Sequence, residues 1–119
     1  MNEQIAKMIG VLLMSRNASQ LAHWKTSSYA KHKALHKFYE DVVDVVDDLA
    51  EVAQGKFGKL DIPYVEMKGN IEKPVEMLEM HLTMVENLGK KCEVGALKNI
   101  VDEIQALYLK TIYLMKELD

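Results

Sequence analysis

The stretch HWKTSSYAKHKALHKFYEDVVDVVDDLAE, residues 23–51, decides the fold of this chain. It contains three of the four histidines, the single tryptophan and a high density of carboxylates. A helix turns by about 100° and rises about 1.5 Å per residue. On a helix over about residues 29–54, the histidines and several acids therefore share one sector beside an apolar stripe. The sector contains His32, His36, Glu40, Val43, Asp47 and Glu51, and the stripe contains Leu35, Phe38, Val42, Val46, Leu49 and Ala53.

The border of a helical core is where bundles usually place metal ligands, and spacing decides which kind of site is feasible here. His32 and Asp47 are separated by roughly 22 Å along one helix, whereas metal–ligand bonds measure about 2 to 2.6 Å. One chain therefore cannot bind one ion with both residues. His23 ends the preceding helix, and a short turn can place it beside His32.

A second copy of the chain removes this distance problem. If two copies of the helix pack antiparallel about a two-fold axis, His32 of one copy faces Asp47 of the other. Two mixed sites then form per dimer, each with histidines from one copy and carboxylates from its partner. Two-fold interfaces are the commonest kind in soluble oligomers.

These residues bear a resemblance to a known family. The His23–Trp24 pair, His32 and the run D-x-L-A-E at residues 47–51 resemble the ferroxidase segment of the Dps family, the ferritin-like proteins of starved bacterial cells. The family's spacing from its second histidine to its aspartate equals that between His32 and Asp47. The resemblance implies an iron site between two-fold-related subunits, with His23, His32, Asp47 and Glu51 as ligands. It also implies oxidation of Fe(II) by peroxide or dioxygen, and the same ligands suit Zn(II).

The chain departs from the family pattern near its second histidine. His36 occupies a supporting acidic position of the family, and the turn between His23 and His32 is shorter and lacks the usual glycine. Either His32 or His36 can therefore be the second histidine ligand. The runs S-Y-A-x-H-K-A-L and F-Y-E, followed by Q-G-K-F-G at residues 54–58, also resemble small ferritin-like proteins of tailed bacteriophages, a group without an assigned biochemical role.

Apolar periodicity predicts four helices, over about residues 2–24, 29–54, 71–88 and 95–118, in a single domain spanning residues 1–119. We expect an all-α, ferritin-like four-helix bundle with one long crossover between the second and third helices. Hydroxyls at residues 26–28 offer an N-cap for the second helix, and Gly55 is expected to end it. The first helix is apolar on a second side, at Val11, Met14 and Leu21, which predicts a subunit interface.

Charge and composition argue against several classes of function. The net charge is −3 and no lysine-rich arm is present, so we expect no nucleic-acid partner. The longest apolar run, residues 9–14, is too short to cross a membrane. The single cysteine, Cys92, lies in a polar turn, which predicts a free surface thiol and a reducing compartment. The expected location is the cytoplasm of a bacterium or of a phage-infected host cell.

Two functions follow from these patterns. His81 has no acid three or four residues before it, so the Glu-x-x-His pairs of a single-chain di-iron centre are missing. The main prediction is an iron-binding, Dps-like homodimer or larger homo-oligomer that oxidises Fe(II) at its shared sites, with ligands drawn from His23, His32, His36, Asp47 and Glu51. The alternative is a small helical interaction or structural protein, encoded by a phage, that keeps the bundle and the dimer without iron chemistry.

Overall fold

The computed structural model describes residues 1–118, and every regular element in that range is an α-helix. The helices are α1 (Asn2–Lys25), α2 (Tyr29–Phe57), α3 (Pro74–Gly89) and α4 (Gly95–Glu117). The predicted number and order of helices are therefore confirmed. Within residues 1–118, none of these helices combines the length and the apolar character that a bilayer-spanning segment requires.

The four helices pack around one apolar core, and each has two neighbours. α1 contacts α2 and α3, and α4 contacts the same two helices. Near one end of the bundle Glu79 of α3 pairs with Lys116 of α4, and near the other end Gly89 lies against Val101. α3 and α4 are therefore antiparallel, as α1 and α2 are across their short turn.

The connection between α2 and α3 runs back along α1. Its Pro63 carbonyl lies over Gly10, and its Lys68 carbonyl accepts a hydrogen bond from His81 at 2.8 Å. This path returns the chain to the α1–α2 turn end of the bundle before α3 begins. The predicted long crossover is confirmed.

The turn between α1 and α2 is closed by local hydrogen bonds. The Thr26 backbone N–H donates to the Ala22 carbonyl at 3.0 Å, which ends α1. The Ser28 side chain accepts from the Lys31 backbone N–H at 3.2 Å and caps α2. This N-cap satisfies one of the donors that a helix start leaves free. The predicted break between the helices is confirmed, and it fixes His23 and His32 on either side of it.

Two predicted helix boundaries were wrong. α2 continues through Gly55 and ends at Gly58, whose φ of 84° lies in the left-handed region. The termination follows from that backbone conformation, which glycine adopts without a steric penalty. α3 starts at Pro74 and not near Ile71, because proline at the first helical position needs no hydrogen-bond partner for its nitrogen.

Two expectations about exposure also required correction. Cys92 is buried and is not a surface thiol. The turn after α3 folds back, and the Cys92 backbone N–H donates to the Gly89 carbonyl at 3.0 Å. Val11 and Met14 are already buried within one chain, so they do not form a free interface. The connection covers α1 on this side at Gly10, and of the three residues predicted for the interface only Leu21 is exposed, at 37%.

Gly10 and Gly55 provide a matched test of this packing. A Cβ added at Gly10 would lie 2.6 Å from the Pro63 carbonyl oxygen, whereas one at Gly55 meets nothing within 4 Å. We expect Gly10→Ala to lower the free energy of unfolding by about 1–3 kcal/mol through overpacking against backbone. Gly55→Ala should raise it by about 0.5–1 kcal/mol through helix propensity. Urea unfolding followed by circular dichroism measures both, and a stabilising Gly10→Ala would contradict the path of the connection.

Candidate functional site

Two stacked histidines lie at the α1–α2 turn. His23 belongs to the last turn of α1 and His32 to the first turn of α2, and their ring centroids are 3.6 Å apart with planes inclined by 21°. The Nδ1 of His23 lies 2.7 Å from the His32 carbonyl, and the Nδ1 of His32 lies 2.8 Å from the His23 carbonyl. A carbonyl only accepts hydrogen bonds, so both Nδ1 atoms carry the proton. In the neutral rings each Nε2 therefore holds a lone pair.

This arrangement is the one that metal-binding histidines use. Such a histidine normally donates from its second ring nitrogen to a carbonyl or carboxylate, which fixes the tautomer and the ring orientation. Within residues 1–118, neither Nε2 of the pair forms a hydrogen bond. Two imidazoles are nonetheless fewer ligands than a structural site needs, and the described residues contain no group of three or more His, Cys, Asp or Glu placed to hold an ion.

The predicted carboxylate ligands lie far from the histidine pair. Asp47 and Glu51 are exposed on the C-terminal half of α2. Because α2 is one continuous helix, Asp47 lies roughly 22 Å from His32 along its axis. One chain therefore brings together His23 and His32 but not the two acids. That a second copy supplies the acids stays a prediction.

His36 lies at the edge of the pair. Its ring is 5.2 Å from that of His23 in an edge-to-face contact, and its Nε2 lies 3.2 Å from a Glu40 carboxylate oxygen one turn away. Both side chains are about half exposed or more, at 48% and 64%. His36 therefore pairs with Glu40 through Nε2, while its ring lies between the His23–His32 pair and solvent. The choice between His32 and His36 as second ligand stays open, although only His32 stacks on His23.

Sequence reasoning missed Tyr39 as part of this cluster. Its ring stacks on that of His36 at 5.1 Å and meets that of His23 at 5.4 Å. The guanidinium of Arg16 lies 5.3 Å from the Tyr39 ring centre and donates to Gln20 at 2.8 Å. Tyr39 is seven residues after His32, which is two helical turns, so the same periodicity could have identified it.

Trp24 projects away from the bundle. Its exposed fraction is 67%, so its indole is not part of the core of one chain. It lies next to His23 at the end of α1, where the chain turns. We predict an interface role for this exposed indole.

His81 lies fully inside the bundle. Its Nε2 donates to the Lys68 carbonyl at 2.8 Å, and its Nδ1 accepts from the Ser15 hydroxyl at 2.8 Å. Burial lowers the pKa of His81, more than the Lys68 carbonyl raises it. Both ring nitrogens are occupied by protein, so this histidine has no lone pair to offer a metal. It instead joins α1 and α3 to the connection.

Comparison with known proteins places these residues in a family. Residues 23–115 match a family of unknown function, DUF5856. The chain is also similar to an uncharacterized 14.6 kDa protein from the mobD–rI intergenic region of Enterobacteria phage T4, with 23% identity over 108 residues that cover 90% of this chain and 84% of the phage protein. No solved structure matches the chain. The histidine pair lies inside the matched region, whose first residue is His23.

His81 makes stability depend on pH in a defined direction. Because burial lowers its pKa below 6.5, the unfolded chain binds a proton more readily than the folded chain. The stability contributed by neutral His81 is complete above about pH 6.5. As the pH falls below 6.5 toward the folded pKa, the free energy of unfolding decreases by at most about 1.4 kcal/mol per pH unit. Urea unfolding at several pH values measures this slope, and His81→Gln should flatten it. Because the variant retains His23, His32 and His36, equal slopes in both proteins would contradict the assignment.

Proposed function

This chain belongs to DUF5856, a family of unknown function, and we propose that it acts as a helical interaction protein that pairs with a second copy of itself through α2. The observation that carries this proposal is the division of charge along one helix. The N-terminal part of α2 contains Lys31, Lys33 and Lys37 and has no acid before Glu40. The following part has no base before Lys56 and contains Asp41, Asp44, Asp47, Asp48 and Glu51.

The two charged halves are self-complementary in one orientation. Lys33 and His36 in the first half and Asp47 and Glu51 in the second are exposed, so these side chains are available to another molecule. An antiparallel pair places the basic half of one copy against the acidic half of the other. A parallel pair would set like charges together, which disfavours that orientation. The two-fold axis then passes near Tyr39.

The topology and the phage relative support a finer proposal. A four-helix bundle with one long connection between the second and third helices is the ferritin-like arrangement, and we assign this chain to it on that ground. The similar T4 protein is encoded by a phage. A role inside a phage-infected host cell therefore fits the proposed interaction protein.

Charge exchange across the two-fold axis tests the pairing. Lys33→Glu and Asp47→Lys each replace an attraction with a repulsion, and each change acts twice per dimer. Since about 1.4 kcal/mol corresponds to a factor of ten, we expect either variant to raise the dimer dissociation constant about tenfold or more. An equimolar mixture of the two variants should form heterodimers of near wild-type affinity, because every charge again faces its opposite. Sedimentation equilibrium measures all three.

Asp102→Lys is the matched control for these variants. Asp102 is an exposed acid on α4, beside residues of α3, and its only ion pair within residues 1–118 is with Lys98 on its own helix. Its reversal should leave the dimer constant unchanged. A monomeric wild-type protein, or a control as disruptive as Asp47→Lys, would overturn the proposed interface.

A metal site is the second candidate function, and the anchored tautomers of His23 and His32 favour it. Each ring uses Nδ1 on a backbone carbonyl and leaves Nε2 for a ligand. In the proposed dimer, the partner copy supplies Asp47 and Glu51 to complete a shell of two imidazoles and two carboxylates. Such a donor set suits Fe(II) and Zn(II). Iron would be the substrate of the Dps-like oxidation that the sequence predicts, and the two sites would lie roughly 22 Å apart.

Mixed dimers separate this shared site from a site within one chain. We expect His32→Ala and Asp47→Ala each to abolish tight Zn(II) binding in isothermal titration calorimetry, because each removes one ligand from both sites. A purified heterodimer of the two variants keeps one intact site and should bind one ion. The same heterodimer should oxidise Fe(II), followed by absorbance, whereas the homodimers should not. Heterodimers that form but bind no ion would end the metal proposal and leave the interaction proposal standing.

A further inference from the structure

One buried face of α1 carries an unusual run of polar residues. Ser15, Ser19 and His23 follow each other at intervals of four, which places them on one side of the helix. All three are buried, with exposed fractions of 0%, 0% and 6%. Buried polar groups in folded proteins normally have hydrogen-bond partners, so each of these side chains requires one. Ser15 and His23 have theirs in His81 and in the His32 carbonyl.

Tyr108 reaches this polar face from the opposite side of the bundle. It lies on α4, is fully buried, and its ring packs on that of Phe38 with centroids 4.8 Å apart. Burial raises the pKa of Tyr108, and the neighbouring Ser15 hydroxyl partly offsets the rise. The phenol is therefore close enough to interact with Ser15, which lies one helical turn before Ser19.

Two buried hydroxyls in this region lack protein partners. Within residues 1–118, neither the Ser19 Oγ nor the Tyr108 OH forms a hydrogen bond. A helical hydroxyl usually turns back to the carbonyl four residues earlier, as Thr111 does to Leu107 at 2.9 Å. Ser19 forms no such bond, although the carbonyl of Ser15 is at the same spacing.

We propose that the centre of the bundle contains a binding site for a single water molecule, held between the Ser19 Oγ and the Tyr108 OH beside Ser15. Ser15 and Ser19 lie one helical turn apart, about 5.4 Å along the axis, so a phenol oxygen beside Ser15 is within reach of a water bound to the Ser19 hydroxyl. Buried water typically makes about three hydrogen bonds to groups that the protein leaves unsatisfied. Both hydroxyls can donate or accept, so the site suits neutral water and offers no charge to a metal ion or an anion.

The water would complete a neutral polar line through the bundle. Ser15 donates to the Nδ1 of His81, and the Nε2 of His81 donates to the Lys68 carbonyl. The Ser15 oxygen keeps its lone pairs free to accept from the water or from Tyr108. The line begins on α4 and passes through α1 and α3 to the connection, which gives a reason for the polar residues on this face of α1. This inference is independent of the proposed dimer and of the metal site.

A crystal structure at a resolution that shows ordered solvent tests the site directly. The expected result is one isolated density peak within hydrogen-bonding distance of the Ser19 Oγ and the Tyr108 OH. A map with no such peak overturns the proposal, as does a Ser19 hydroxyl bonded to the Ser15 carbonyl.

Thermal unfolding of variants is a second test. The change in melting temperature caused by Ser19→Ala has one sign if a water is bound and the opposite sign if the hydroxyl has no partner. If the hydroxyls hold a water, Ser19→Ala and Tyr108→Phe each leave it short of a partner, and the melting temperature should fall by about 3–6 °C. If Ser19 is an unpartnered hydroxyl, Ser19→Ala should raise the melting temperature, because alanine is also the better helix former. Thr83→Ala is the control, since the Thr83 hydroxyl is exposed in α3 and its loss should raise the melting temperature slightly through helix propensity alone. A higher melting temperature in Ser19→Ala overturns the proposal even if Tyr108→Phe lowers the melting temperature.

Discussion

The hydrogen-bonded line from Ser15 through His81 to the Lys68 carbonyl is the contact on which the rest of the bundle depends. It joins α1, α3 and the connection that runs between α2 and α3. Both bonds are 2.8 Å long and lie at or inside the core, where water does not compete for the same groups. The connection has no helix or strand of its own to hold it, so a buried side chain fixes its path over α1.

Histidine serves two different purposes in this chain, and the partners decide which. Both ring nitrogens of His81 form hydrogen bonds to protein groups, so His81 is a structural residue. His23 and His32 each donate from Nδ1 to the backbone carbonyl of the other, and these two bonds close the turn. Within the described residues, the Nε2 of each ring forms no hydrogen bond. Histidine therefore forms a fixed hydrogen-bonded contact in the core at His81, and a preorganised pair of imidazoles at the α1–α2 turn. Only the second arrangement can bind a ligand without disturbing the fold.

α2 combines three patterns on one continuous helix. Its apolar stripe, with Leu35, Phe38, Val42 and Leu49 fully buried, faces the core. Its border toward α1 carries His32 and Tyr39, and its outer side changes from basic to acidic along its length. The helix supplies self-complementary charge only because no turn interrupts it between residues 29 and 57. A break at Gly55 would have left both charged halves and the histidine pair intact, because the last acid of α2 is Glu51.

The sequence by itself determined the features that depend on neighbouring residues. Apolar periodicity defined four helices, the hydroxyls after Lys25 defined the break before α2, and helical spacing separated His32 from Asp47. These follow from local geometry and capping. The tertiary structure alone decided that Cys92 and His81 are buried and that the connection covers α1 at Gly10. Each of these outcomes depends on the path of distant chain segments, which side-chain period and turn propensity do not specify.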